Sequence, residues 1–296
     1  MQKIGVVGSG QMGNGIAQVF AQNGYEVFLV DVDQQALNAA MNTINRNVDR
    51  LIQKGMVEQV ERSTIIDRIQ ISTNLADAVK DCQLVVEAVP ERLDLKTNVF
   101  KSLDEHAPET CILASNTSSI SITQIASTTR RPHQVIGMHF MNPVPVMQLV
   151  EVIRGFATDT ATTGKIMDIS KSIGKVPVEV EDYPGFISNR ILMPMINEAI
   201  QALFEGVAGV EEIDAVMKLG MAHPMGPLHL ADFIGLDTCL AILRVLQDGF
   251  GLPKYAPSPL LVNMVAAGRL GVKSGEGFYR YAAGSKEKKV SPSFLH

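Results

Sequence analysis

Six residues, Gly8, Ser9, Gly10, Gln11, Met12 and Gly13, constrain this chain most, because they stand between a β-branched run at 3–7 and a helical pattern of Ile16, Ala17, Val19, Phe20 and Ala21. In a strand–turn–helix with this GxGxxG spacing, the first glycine permits the tight turn and the second lets a pyrophosphate approach the backbone. The third lets helix and strand pack closely. Free amides and the positive dipole end at the helix start then face the phosphate charge. A second strand pattern ends at Asp31, eighteen residues after Gly13, where a carboxylate accepts from ribose hydroxyls and repels a 2′-phosphate. These residues predict a dinucleotide site that favours NAD over NADP. Asp33 is the other acid at hand and reads as the N-cap of the next helix.

Further β-branched runs at 27–30, 69–72, 84–87, 111–114 and 135–137 alternate with helical patterns, which predicts a mostly parallel sheet covered on both faces. A last strand-like run at 176–180 precedes Glu181, Asp182, Tyr183, Pro184 and Gly185, a composition typical of a linker. Beyond it the patterns at 186–204, 210–219 and 228–246 are helical. A shorter one starts at Ser258 as a side-chain N-cap with Pro259 at the first helical position, and stops at Gly268. The fold class expected is α/β: a Rossmann-type domain over 1–183 with a helical excursion, then an all-α C-terminal domain over 184–282. The tail 283–296, rich in lysine and serine, reads as a frayed terminus. The pattern at 228–246 is apolar over more than one face, as in a central helix or a subunit interface. The second reading makes the protein a homodimer through its C-terminal domain.

Composition removes several classes of function. Hydrophobic residues at 46 % and charged residues at 19 % of 296 suit a globular chain long enough for two domains. The net charge of −5 argues against a nucleic-acid partner, which needs a basic face. Three widely spaced cysteines without a CxxC pair fit a reducing cytoplasm. No signal peptide is read at the start, and no apolar stretch reaches the ~18 residues of a membrane span. The six histidines show no ligand spacing with cysteine or carboxylate, so no metal is expected.

His139 follows a buried strand and so stands at a carboxyl end, where ligands gather in sheets of this kind. An imidazole, with its ordinary pKa of ~6.5, can both accept and return a proton near neutrality. On its position alone, a structural role stays open. Eight motifs then stand in order: GSGQMG at 8–13, VVEAVPE at 85–91, SNTSS at 115–119, HFMNPVPVM at 139–147, LVEVI at 149–153, PGFISNR at 184–190, HPMGP at 223–227 and GEGFY at 275–279. Through them the chain, from about residue 3 to about 282, resembles the L-3-hydroxyacyl-CoA dehydrogenase family, most closely its short-chain bacterial 3-hydroxybutyryl-CoA branch.

The resemblance implies NAD-dependent oxidation of a short-chain L-3-hydroxyacyl-CoA, and the reverse reaction, with NAD as cofactor and an acyl-CoA as substrate. It implies that His139 is the general base and that Glu151, by itself readable as an edge-strand surface charge, is the carboxylate paired with it. Ser118 and Asn189, otherwise a loop turn and a helix-surface residue, become polar groups beside the reacting hydroxyl. Asn142, Glu91, Lys96, Lys273 and, again, Ser118 become contacts on the cofactor side, in addition to residues 8–13 and Asp31. In the excursion helix, Leu37, Met41, Ile44, Val48 and Leu51 form a packed seam, while Arg46, Arg50 and Lys54 fall four apart on another face. A solvated face explains such a stripe; the resemblance gives Arg50 and Lys54 the phosphates of CoA. Two other readings stay open at this level. A dehydrogenase of a free hydroxy or sugar acid needs no basic stripe, and a non-catalytic dinucleotide-binding protein needs no His–Glu pair.

Overall fold

In the computed structural model, which describes residues 2–282 and 288–295, eight strands form one sheet: β1 (Lys3–Val7), β2 (Glu26–Val30), β3 (Ile69–Ser72), β4 (Leu84–Glu87), β5 (Ile112–Ser115), β6 (Val135–Phe140), β7 (Leu149–Arg154) and β8 (Val176–Glu181). Their order is β3-β2-β1-β4-β5-β6-β7-β8, parallel throughout except between β6 and β7. β4, β5 and β6 are buried along their whole length, as apolar strands covered on both faces must be. The cover comes from α1 (Gln11–Gln22), α2 (Gln34–Gln53), α3 (Glu61–Asp67), α4 (Leu75–Val79), α5 (Leu93–His106), α6 (Ile122–Ala126) and α7 (Thr160–Ser172). The chain runs outward from β1 through β2 to β3, then returns to the other side of β1 at β4. This reversal opens a crevice beyond the carboxyl ends of β1 and β4.

Two local features differ from the reading of the sequence. β7 has no helix between it and β6, so it escapes a search for strand–helix alternation; it is an internal strand, and Glu151 at its centre is buried rather than on an edge. The edge belongs to β8, mostly exposed and carrying Pro177, which suits a strand with one unpaired side. α2 stops at Gln53, so that Lys54, read as part of the excursion helix, is its C-cap, and Gly55 turns the chain with φ +67°.

Residues from Pro184 onward form a second compact unit, built from α8 (Ser188–Phe204), α9 (Val210–Gly220), α10 (Pro227–Ile234), α11 (Leu236–Phe250) and α12 (Pro259–Ala266), with a small antiparallel pair β9 (Tyr279–Tyr281) and β10 (Lys288–Val290). The single helix expected over 228–246 is two helices. Gly235, at φ +103°, ends α10 and begins α11, a conformation that only glycine adopts at little cost. Leu228, Ala231, Leu236, Leu240, Leu243 and Leu246 of this pair are all buried in the unit's own core. Ser258 does precede α12, but its hydroxyl makes no cap bond; its N–H donates to Asn197 Oδ1 at 2.8 Å instead. Residues 288–295 are folded, contrary to the frayed tail expected: β10 pairs with β9, and Phe294 lies 5.7 Å from Phe278, ring to ring. Residues 283–287 and 296 of that tail fall outside the described residues.

Candidate active site

The glycine loop closes on itself. Gly8, at φ +102°, donates its N–H to Val30 O at 2.7 Å, and a β-carbon on Gly13 would lie 1.7 Å from Gly8 O. A β-carbon on Gly10 would meet nothing within 4 Å, so this residue faces open space where a ligand's phosphates can come close. Gly10 is also the N-cap of α1 and offers no side chain to its first amides, which stay available to an anion. Asp31 accepts from Ser9 N at 2.8 Å and Ser9 Oγ at 2.7 Å. Partial burial opposes its charge, but the hydrogen bonds from Ser9, Asp33 and Val32 outweigh that and hold its pKa below the ordinary carboxylate value. Asp33 serves as the N-cap of α2, accepting from Gln35 N. An open glycine cradle beside a fixed, ionised acid fits a dinucleotide with free ribose hydroxyls.

At the same edge of the sheet the antiparallel register sets His139 opposite Glu151. Directly opposed residues project to one face with β-carbons ~5 Å apart, and the side chains meet: Nδ1 of His139 is 2.8 Å from Oε2 of Glu151. On the far side of the ring, Nε2 lies 3.0 Å from Ser118 Oγ. His139 and Glu151 are 7 % and 2 % exposed, so the pair sits out of bulk water with one ring nitrogen turned to the Ser118 loop.

Beneath that loop lies a network largely unforeseen from the sequence. Glu91 Oε1 accepts from Thr117 Oγ1 at 2.7 Å and from the N–H groups of Ser118 and Ser119, each at 2.9 Å. Burial works against its charge, but nearby Lys96 and the Thr117, Ser118 and Ser119 donors keep the pKa of Glu91 below the usual range. Lys96 is fully buried; its Nζ reaches Glu87 Oε1 at 2.8 Å and Glu91 Oε2 at 3.4 Å. The lysine expected to touch the cofactor therefore faces two carboxylates rather than solvent. Glu87 could have been suspected as a charge ending an otherwise apolar strand. Thr117 carried no separate signal.

Asn142 follows β6 and accepts from Gln11 Nε2 at 3.2 Å, so the loop after His139 touches the start of α1. The same loop is gripped from below by Lys175, whose buried Nζ donates to Val144 O and Met147 O; burial lowers its pKa. Nothing in the sequence marks Lys175, because its partners are backbone carbonyls. Arg50 and Lys54 are exposed, on and just beyond α2. In the second unit, Asn189 is buried in the first turn of α8, not on a helix surface, and its N–H donates to Gly185 O at 3.1 Å. The turn into that helix passes through Gly185 at φ +75° and Phe186 at φ +51°, the latter a strained conformation for a bulky residue. Lys273 is paired with Asp237. Its segment is held by fully buried Asp232, which accepts from Phe278 N and Tyr279 N and whose pKa burial pushes up to about 6. Among the described residues no group of three His, Cys, Asp or Glu side chains is placed to hold a metal, and no helix is long and apolar enough to cross a membrane.

Known proteins resemble this chain over nearly its whole length. The family model for the 3-hydroxyacyl-CoA dehydrogenase NAD binding domain matches residues 3–183, and that for the C-terminal domain of the same family matches 185–281. A probable 3-hydroxybutyryl-CoA dehydrogenase of Deinococcus radiodurans is 55 % identical over 94 % of this chain and 100 % of its own length. One of Bacillus subtilis is 54 % identical over 95 % of this chain and 98 % of its own. The crystal structure of (S)-3-hydroxybutyryl-CoA dehydrogenase from Ralstonia eutropha, at 49 % identity, superposes with a TM-score of 0.93 over 95 % of this chain and 99 % of that one.

The two glycines separate packing from ligand approach. Gly13→Ala is expected to lower unfolding free energy in urea by about 1–3 kcal/mol, the usual cost of overpacking, since its methyl group would strike Gly8 O. Gly10→Ala is expected to unfold like the parent yet bind NADH at least about tenfold more weakly, roughly 1.4 kcal/mol, by fluorescence titration. Equal NADH affinity in Gly10→Ala would show that no phosphate approaches there.

Proposed function

The chain belongs to the 3-hydroxyacyl-CoA dehydrogenase family, and from that premise we propose that Glu151, His139 and Ser118 handle the proton in its reaction. The enzyme is an NAD-dependent dehydrogenase of 3-hydroxyacyl-CoA esters, forming the 3-oxoacyl-CoA. NAD, when bound, supplies the chemistry the side chains lack, an acceptor for the hydride from carbon 3. Residues 8–13 and Asp31 are the groups to hold it, with Glu91 and Asn142 beside them and Lys96 supporting Glu91; Lys273 is assigned to the cofactor on the family resemblance alone. We take the L stereoisomer and a short acyl chain, such as 3-hydroxybutyryl, as the substrate, after the relatives' names.

The observation that carries this reading is the continuous contact from Glu151 through the His139 ring to Ser118. Against an ionised Glu151, Nδ1 carries the ring proton and Nε2 is the acceptor, which makes Ser118 the donor. The substrate hydroxyl gives its proton to Nε2, and Glu151 balances the imidazolium that forms. In this proposal the Ser118 hydroxyl turns to the substrate oxygen, so developing charge meets a fixed dipole; Asn189 is assigned to the same oxygen on the family resemblance alone. In the reverse direction Nε2 returns the proton. Arg50 and Lys54, both exposed, are proposed to hold the phosphates of CoA. The second unit leaves Ile191, Phe204, Val216, Leu219 and Phe233 more than half exposed, which supports a homodimer through this unit. Three free, buried cysteines suit the cytoplasm, a placement that cell fractionation checks.

NADH absorbance is expected to fall when acetoacetyl-CoA is added and to hold steady with CoA-free acetoacetate. His139→Gln should still bind NADH but lose turnover by about two to four orders of magnitude; undiminished turnover would remove His139 from the chemistry. Replacing Arg50 and Lys54 together by alanine should raise KM for acetoacetyl-CoA severalfold and leave a truncated thioester unaffected, whereas equal effects on both would discard the phosphate assignment. Sedimentation equilibrium is expected to give twice the 32.1 kDa chain mass; a monomer would overturn the dimer.

A further inference from the structure

The loop 115–119 is gripped at two points by two carboxylates, and one of these, Glu87, belongs to none of the roles assigned above. It is fully buried at the carboxyl end of β4. Oε1 accepts from Val89 N at 2.7 Å and Lys96 Nζ at 2.8 Å, Oε2 accepts from Ser115 Oγ at 2.6 Å, and its carbonyl accepts from Asn116 N at 2.8 Å. Glu91 holds the turn of the loop at Thr117, Ser118 and Ser119. Lys96 lies between the two carboxylates and fixes their spacing. Asn116 Oδ1 accepts from Phe140 N at 2.9 Å, tying the loop to the residue after His139.

The geometry assigns Glu87 as a positioning residue for proton transfer: through Ser115 and through Lys96–Glu91 it sets where the Ser118 hydroxyl meets His139 Nε2. The assignment rests on the proton-handling role proposed for Ser118 and His139. A single Ser118 hydroxyl 3.0 Å from the ring depends on a short loop whose start and turn are each anchored to a glutamate. With Glu87 uncharged, Lys96 has Glu91 as its one carboxylate partner in this network, and the pull on Glu91 shifts the turn that carries Ser118. A misplacement near 1 Å is worth about a hundredfold in rate.

Glu87→Gln keeps the shape of the side chain and removes its charge. It is expected to lower kcat about ten- to a hundredfold, with near-UV circular dichroism unchanged. In a Ser118→Ala background the same substitution should cost little further, because a residue acting through Ser118 has nothing left to place. Histidine 15N NMR of the cofactor-free protein should show the His139 Nε2 resonance moving with Glu87→Gln in the same direction as with Ser118→Ala. Additive losses in the double variant, or an unmoved His139 resonance in folded Glu87→Gln, would overturn the assignment. Full turnover in Ser118→Ala alone would sink the catalytic reading instead, and the NMR result would still decide whether Glu87 places Ser118. If Glu87→Gln does not fold, Ser115→Ala removes one anchor without changing any charge and should move kcat and the His139 resonance the same way; no movement in either refutes the assignment.

Discussion

The site depends on how the inner strands of the sheet line up where they end. Val7 is paired with Glu87, Glu87 with Ser115, and Ser115 with Gly137, two residues before His139. Apolar strands covered on both faces have no room for polar side chains along their length, so polar groups collect where burial by the helices stops. Because these strands run parallel, their ends share one edge. β7 then turns back beside β6 and delivers Glu151 opposite His139. The reactive groups thus come from β4, β5, β6, β7 and the loops after them, each placed by backbone pairing before any side chain is chosen.

Such an edge must tolerate buried charge, which is expensive unless every partner is present. Removing one member of a buried pair typically costs about 3–5 kcal/mol, while replacing both with apolar groups is often neutral. Glu87, Lys96 and Glu91 therefore do little for net stability compared with an apolar core of the same shape. What they provide is direction: fixed donors and acceptors specify one arrangement of the loop 115–119, as packing of alkyl chains does not. The His139–Glu151 pair follows the same logic at smaller scale, since a lone histidine in that strand would leave its tautomer and ring angle undetermined.

Much of this was legible in the chain itself, for identifiable reasons. The glycine loop could be read because its conformation requires particular residues: only glycine suits Gly8, and only the absence of a β-carbon lets Gly13 pass Gly8 O. His139 and Asp31 stood at strand ends recognisable from apolar runs. β7 lacks the preceding helix that marks most of the other strands, so the sequence offered only an edge-strand reading of Glu151 for what is an internal strand. The break at Gly235 was missed because apolar residues on both sides of it all face the core of the second unit. The network under Ser118 was less accessible still. Lys96 and Glu91 drew attention as candidates for the ligand, and nothing in the order of residues says that they meet each other and Glu87.

The chain leaving the sheet is held by the same device. Asp182, in the segment read as a linker, accepts from Ser121 Oγ, Ile122 N and Thr123 N, satisfying amides at the start of α6 that have no partner inside the helix. α6 follows directly on the loop 115–119, so this acid pins the far side of the element whose near side Glu87 and Glu91 hold. Beyond Asp182 the chain passes through left-handed conformations at Gly185 and Phe186 before α8 begins. A loose connection starting at β8 would let α6 drift and carry Ser119 with it. Anchoring Asp182 removes that freedom, so that the loop bearing Ser118 stays fixed against His139.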